Sequence, residues 1–274
     1  MSSRFMRFKD GKAKALTLSY DDGVKQDIRL IDILDKHGIK ATFNINAGCF
    51  ANEETSKGNR MTKERAYSLY KNSPHEVAIH GYTHPFLDTL ATNNAVYEII
   101  EDRRQLEEMF GTIIRGCAYP QGTFSDSVVE VLRLCGIKYA RTTISTEGFN
   151  IPTDWLRLPA TCKHTNPHLF ELTDKFIEGQ DLRRPWLFYL WGHSYEFDND
   201  DNWDVIERFA EKIGNRDDIW YATNIEIFDY IEAYNSLHTS ADGKIVYNPT
   251  LIDVWMCNNG KTYCIKSGET VIID

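Results

Sequence analysis

The stretch KALTLSYDDGVKQDIRLIDILDKHGIKATFNIN, residues 14–46, indicates which fold to expect. Residues 14–20 and 40–46 have the composition of strands. Residues 26–38 carry apolar side chains at helical spacing and reach a stop signal at Gly38. A strand, a helix and a second strand in this order form a βαβ unit, whose strands are parallel. The stretch therefore predicts a parallel sheet covered by helices.

The same alternation continues to about residue 237. The pattern predicts further strands over 75–80, 115–120, 138–142, 156–160, 184–193 and 219–223. It predicts further helices over 62–72, 94–111, 125–136, 167–179, 202–214 and 224–237. The acidic run at 196–204 reads as a solvated loop before a helix. This number of strand–helix repeats predicts closure into a barrel of the TIM type.

After residue 237 the pattern changes to short strand-like runs separated by the turn signals DG, NNG and SGE. We therefore expect two units, a (β/α) barrel over residues 1–237 and a small antiparallel β extension over 238–274. The extension can cover a sheet edge, add a wall to a site or provide the contact of a homo-oligomer.

Composition narrows the classes of partner. The 274 residues carry a formal net charge of −9, which argues against nucleic acid or an anionic membrane as partner. No apolar run approaches the ~18 residues of a membrane span, and the N-terminus lacks the apolar core of a signal peptide, so a cytoplasmic location is expected. The six cysteines have no CxxC spacing and predict free thiols, with Cys257 and Cys264 as the one pair that a hairpin could bring opposite each other.

Titratable side chains follow several of the predicted strands. Asp21 and Asp22 come after the first, His80 and His84 after the third, and His193 after the strand at 184–193. In barrels of parallel strands the loops at the carboxyl ends of the strands carry the chemistry. We therefore expect these five side chains to meet at one rim.

Two histidines and one carboxylate form a three-ligand metal site that leaves positions open for water or substrate. Asp22, His80 and His84 are the candidate ligands. Asp21 can then act as general base, and His193 can donate a proton to a leaving group. A nearby dication would also offset the repulsion between the adjacent carboxylates.

The motifs SYDDG (19–23), HGYTH (80–84), AYPQG (118–122) and LWGH (190–193) resemble those of the polysaccharide deacetylases, carbohydrate esterase family 4 with its NodB homology domain. The resemblance runs from about residue 14 to 236. It implies an α/β fold, a distorted and incomplete (β/α) barrel that usually has seven strands. It also implies one divalent transition metal, most often zinc, with cobalt, nickel, manganese or iron as alternatives.

The resemblance assigns roles to further residues. In the family the third motif gives a backbone N–H to the oxyanion, and here that N–H would belong to Gln121. Aromatic and proline side chains that flank the rim motifs are candidate substrate contacts, because aromatic faces suit the C–H faces of sugars: Tyr119, Pro120, Trp191 and Tyr195.

The sequence also departs from the family pattern. The family's third motif usually carries an arginine that pairs with the catalytic aspartate, and Ala118 stands about there. Arg115, Arg141 and Arg157 lie near strand ends and are the candidates to replace it. Gly81 stands where the family usually has Ser or Thr, and the stretch at 154–157 matches the fourth motif only loosely.

These observations favour a metal-dependent hydrolase that removes acetyl groups from an N-acetylated or O-acetylated carbohydrate, with a small-molecule or oligosaccharide substrate. Three alternatives remain open. The same site can hydrolyse a small amide or cyclic ureide, as in allantoinase-like relatives. Two histidines and a carboxylate can also hold Fe(II) in an oxygenase, although a general base and acid serve hydrolysis. The absent arginine allows a catalytically inactive carbohydrate-binding protein.

Overall fold

The computed structural model describes residues 4–53, 58–179 and 183–273; residues 1–3 and 274, at the ends of the two predicted units, lie outside this range, as do 54–57 and 180–182. The strands within it are β1 (Arg4–Arg7), β2 (Lys14–Asp21), β3 (Ala41–Ile45), β4 (Glu76–Ile79), β5 (Gly116–Ala118), β6 (Tyr139–Ser145), β7 (Leu158–Ala160), β8 (Cys162–Lys163), β9 (Trp186–Gly192), β10 (Ile219–Tyr221), β11 (His238–Thr239), β12 (Ile245–Tyr247), β13 (Val254–Asn258), β14 (Lys261–Ile265) and β15 (Thr270–Ile272). The α-helices are α1 (Asp27–Lys36), α2 (Lys63–Tyr70), α3 (Thr92–Phe110), α4 (Asp126–Leu134), α5 (Leu169–Glu178), α6 (Tyr195–Asn199), α7 (Asp204–Ile213) and α8 (Asn224–Asn235).

The central sheet of the described residues has nine parallel strands in the order β7-β6-β5-β4-β3-β2-β9-β8, with β10 paired beside the start of β2. Only Thr161 separates β7 from β8, and its backbone N–H donates to the carbonyl of Tyr189 on β9. One bent segment thus joins β6 to β9, which leaves seven strands around the ring when β10 is set aside. The predicted α/β fold with a distorted, incomplete barrel is confirmed.

Side chains alternate along each strand between the helix-facing core and the interior of the barrel, and on β2 the inward-facing side chains are polar. On β2, Leu16, Leu18 and Tyr20 face the helices and belong to the main hydrophobic core. Thr17 and Ser19 have the opposite orientation, and both are buried and hydrogen-bonded to other polar side chains. This alternation brings Asp21 to the inner side of the ring at the end of the strand.

The predicted helices are all present, with shifted ends. Side-chain caps account for several starts: Thr62 accepts from the N–H of Arg65 before α2, and Ser125 accepts from the N–H of Val128 before α4. Thr223 and Glu226 form a capping box that begins α8. The run at 196–204, predicted as a solvated loop, instead contains most of the short helix α6.

The strands after α8 belong to two three-stranded antiparallel sheets, β1-β13-β14 and β11-β12-β15. Strand β1 comes from the N-terminus and pairs with β13, so residues 4–7 lie with the C-terminal strands rather than with the barrel. Val246, Met256, Ile265 and Ile273 form a small core of their own. The division at residue 237 stays a prediction, as does an oligomer contact through this extension.

All six cysteines are free. In the β13–β14 hairpin Cys264 lies opposite Trp255 and Cys257 lies opposite Thr262, so this register keeps the two thiols apart. No helix among the described residues combines the length and the apolar character needed to cross a bilayer.

Candidate active site

The loops after four strands of the barrel meet at one rim. They follow β2, β4, β5 and β9, which are all parallel, so their carboxyl ends lie on the same side of the sheet. These loops and the end of β2 carry the side chains predicted to do the chemistry: Asp21, Asp22, His80, His84, Gln121 and His193.

Asp21 is buried and held by two polar partners. Arg141 forms an ion pair with its Oδ2, and the Asn44 side-chain amide donates to its Oδ1 at 2.8 Å. Burial alone would raise the pKa of Asp21, but the nearby Arg141, His80 and His193 outweigh it and lower the pKa to about 2. Asp21 is therefore a carboxylate at neutral pH.

Arg141 is the one of the three candidate arginines that pairs with Asp21. Its Cα on β6 lies directly opposite that of Ala118 on β5, so the guanidinium reaches Asp21 from the neighbouring strand. The side chain is 1% exposed and stacks 4.4 Å from the ring of Trp191. The other two candidates pair elsewhere, Arg115 with Asp229 and Arg157 with two aspartates near the surface.

Asp22, His80 and His84 form a cluster that can hold a metal ion. One potential ligand atom from each lies within 4.8 Å of the others. The two histidine Nε2 atoms are 3.2 Å apart, and His84 Nε2 is 3.7 Å from Asp22 Oδ1. Imidazole and carboxylate are ligands that zinc and other divalent transition metals accept, so this donor set fits such an ion.

The surroundings of the histidines favour metal binding through Nε2. Burial lowers the pKa of His80 to about 4 and also lowers the pKa of His84, which keeps both rings neutral at neutral pH. His80 Nδ1 lies 2.8 Å from the carbonyl of Ala118; a proton on Nδ1 donated to that carbonyl leaves the Nε2 lone pair free. The Gln121 side-chain amide lies 2.9 Å from His84 Nδ1, on the side of that ring away from the cluster.

His193 faces Asp21 with one ring nitrogen and a second carboxylate with the other. Its Nε2 is 3.7 Å from Asp21 Oδ2, and its Nδ1 is 3.4 Å from Glu196 Oε2. Burial opposes protonation, but Glu196 and Asp21 outweigh it and raise the pKa of His193. Glu196 also pairs with Lys163 at 2.7 Å and with His164 at 3.2 Å, so several contacts fix its carboxylate. Sequence analysis missed Glu196, although its position one helical turn after His193 was a usable signal.

Three of the four predicted substrate contacts are buried in the structure, and their role as substrate contacts stays a prediction. Tyr119 and Pro120 are buried, and the Tyr119 hydroxyl donates to the carbonyl of Leu156. Trp191 is buried as well and covers the guanidinium of Arg141 instead of presenting a free face. Tyr195 is half-buried beside His193, with ring centroids 5.2 Å apart, and remains a candidate contact.

Arg60 is a second arginine at the site that sequence analysis missed. Its Nη2 donates to Asp22 Oδ1 at 2.8 Å, and its Nη1 donates to the Asp22 carbonyl and, at 3.0 Å, to Asn46 Oδ1. It lies in the segment before α2 and outside every motif, so nothing in the sequence pattern marks it.

Comparison with known proteins gives one family match. Residues 8–140 match the family model described as polysaccharide deacetylase. The uncharacterized protein YlxY of Bacillus subtilis (strain 168) is 25% identical over 103 residues, which are 38% of this chain. The match spans only 29% of the length of that curated relative.

Solved structures share the fold at low sequence identity. A putative polysaccharide deacetylase from Mycobacterium smegmatis aligns with a TM-score of 0.57 and 15% identity, over 83% of this chain and 93% of that one. A family 4 acetyl xylan esterase from Clostridium thermocellum, in complex with a cobalt ion, aligns with a TM-score of 0.50 and 15% identity, over 78% and 90% of the two chains.

Proposed function

We propose that this chain, which matches the polysaccharide deacetylase family model over residues 8–140, is a metal-dependent hydrolase of that family that removes acetyl groups from an N-acetylated or O-acetylated carbohydrate. One observation carries the proposal. A three-residue ligand cluster, Asp22 with His80 and His84, lies beside a carboxylate and an imidazole that can serve as base and acid, Asp21 and His193.

Asp22, His80 and His84 would hold the metal. When bound, a divalent transition metal supplies a Lewis acid that polarises the acetyl carbonyl and lowers the pKa of a water molecule. Zinc is the first candidate, with cobalt, nickel, manganese and iron as alternatives; the cobalt ion of the C. thermocellum esterase belongs to the same group.

Asp21 would act as general base and accept a proton from the attacking water. It is ionised at neutral pH, and Arg141 and Asn44 hold its carboxylate toward the rim. Water oxygen then bonds to the acetyl carbon, and the backbone N–H of Gln121, on the same rim, would donate a hydrogen bond to the oxyanion that forms.

His193 would act as general acid. As the bond from the acetyl carbon to the sugar nitrogen or oxygen breaks, the leaving atom takes the bond electrons and a proton from His193 Nε2. Acetate and the free amine or alcohol are then the products. Glu196 supports this role, because its carboxylate lies 3.4 Å from Nδ1 of the ring and favours the protonated form.

An acetate-release screen tests the proposal. Metal-loaded protein is incubated with acetylated mono- and oligosaccharides and, in parallel, with small amides and cyclic ureides. We expect release from at least one acetylated saccharide and none in the Asp22→Asn variant. Turnover of a ureide alone would favour the allantoinase-like alternative. Saccharide binding without turnover in the metal-loaded protein would contradict the proposal and favour an inactive carbohydrate-binding protein.

A further inference from the structure

The two adjacent aspartates of the rim each have an arginine of their own. Arg141 neutralises Asp21 inside the barrel, and Arg60 neutralises Asp22 from outside it. The Arg60 side chain is 29% exposed and that of Asp22 is 11% exposed, so the second pair is only partly screened by water. A metal bound to Asp22 would therefore meet a carboxylate whose negative charge Arg60 already offsets.

Arg60 contacts the oxygen that faces the metal cluster. Asp22 Oδ1 is 2.8 Å from Arg60 Nη2 and 3.7 Å from His84 Nε2, so the same atom lies between the guanidinium and the histidine ligands. A second bond from Arg60 to the Asp22 carbonyl fixes the backbone of a residue with a φ of 86°. In the metal-free protein the guanidinium therefore supplies the positive charge beside the Asp22 carboxylate.

We propose that Arg60 is the resident counter-ion of Asp22 in the metal-free protein and that it weakens metal binding. This inference rests on the proposed function, because it assumes that Asp22 is a metal ligand. Arg60 stabilises the adjacent aspartates before a metal arrives. Once a metal is bound, Arg60 makes the site release that metal more readily than Asp22, His80 and His84 would without it.

The expected size of the effect follows from distance. Metal–oxygen bonds of this kind are about 2.1 Å long, so a metal on Asp22 Oδ1 lies within about 5 Å of Arg60 Nη2. Repulsion between a dication and a single positive charge at that distance corresponds to at least about tenfold in affinity, even at the dielectric constant of water. The opposing benefit of a fixed carboxylate orientation is smaller, because His80 and His84 position the metal independently.

Cobalt titration tests the proposal without relying on activity. Co²⁺ binding is measured by its visible absorption, in competition with a chelator, for the wild type, Arg60→Gln, Arg60→Lys and the surface control Arg133→Gln. We expect Arg60→Gln to bind Co²⁺ at least about tenfold more tightly. Arg60→Lys, which keeps the charge, and the control should bind like the wild type. In chelator, Arg60→Gln should melt at a lower temperature than the wild type and gain more from Co²⁺.

The outcomes separate this proposal from the proposed function. If the wild type binds Co²⁺ and Arg60→Gln binds it equally or more weakly, the role of Arg60 is refuted while the metal site stands. Weakened binding in Arg60→Lys would also overturn the proposal, because geometry rather than charge would then set the affinity, and this variant remains informative if Arg60→Gln fails to fold. If no protein binds Co²⁺, both proposals fail.

Discussion

Replacing Arg141 by methionine should destabilise the metal-free protein more than loss of any surface arginine. The Arg141 and Asp21 side chains are 1% and 3% exposed, so the substitution leaves a buried carboxylate without its cation. Removing one partner of a buried pair costs about 3–5 kcal/mol. The matched control is Arg115→Met, whose partner Asp229 and own side chain are each 32% exposed; such a pair contributes about 0–1 kcal/mol.

Urea denaturation in the presence of a chelator measures both changes in the free energy of unfolding. The double variant Arg141→Met/Asp21→Asn should recover most of the loss, because it removes the uncompensated charge. A loss in Arg141→Met no larger than in Arg115→Met would show that Asp21 does not need a buried cation. So would a double variant no more stable than Arg141→Met, since that result would assign the loss to packing against Trp191.

Four further predictions follow from the site and the fold. Asp22→Asn should lose bound metal and activity together, whereas Asp21→Asn should keep the metal in elemental analysis and lose turnover by about 10²–10⁴-fold; near-normal turnover in Asp21→Asn would contradict its role as base. His193→Ala should keep the metal and slow amide substrates more than activated esters, because the amine leaving group depends on the acid; equal slowing would contradict that role. Burial raises the pKa of Glu76 from 4.5 to about 7, so Glu76 binds more protons in the folded state between these values, and its contribution to stability should fall as pH rises through this window. Glu76→Gln should make the stability in urea titrations fall less steeply with pH, without removing the contributions of Asp27 and Asp102, whose pKa values burial also raises; an unchanged pH dependence would contradict the assignment. Thiol titration in denaturant should find six free groups, and four would indicate a disulfide.

Most of the fold could be predicted because its signals are local. Strand composition, helical periodicity and turn residues each depend on a few neighbouring positions, and a βαβ order restricts the topology. The meeting of the site residues at one rim could then be predicted from the fold, since side chains directly after parallel strands lie at one edge of the sheet. The bend at Thr161 could not be predicted in the same way, because strands of three and two residues carry too few side chains for a periodic signal.

The supporting residues of the site depend on register and orientation between distant segments. Arg141 reaches Asp21 because β6 aligns it with Ala118, and the sequence alone gives no register between these strands. Arg60 lies 38 residues from Asp22 in a segment without a motif. The burial of aromatic residues beside a motif could not be predicted either, because Tyr119 and Trp191 are buried whereas Tyr195 is half-buried. Neighbouring positions in sequence do not say which side of a loop a ring occupies.

Acetate release followed during stepwise metal removal tests whether hydrolysis depends on the metal at Asp22, His80 and His84. Wild-type protein is titrated with a chelator, and bound metal per chain and the rate of acetate release from an acetylated saccharide are measured in the same samples. We expect the rate to fall in proportion to metal content, one metal per chain to give full activity, and added Zn²⁺ or Co²⁺ to restore it. Acetate release that persists unchanged in metal-free protein would contradict a metal-dependent mechanism.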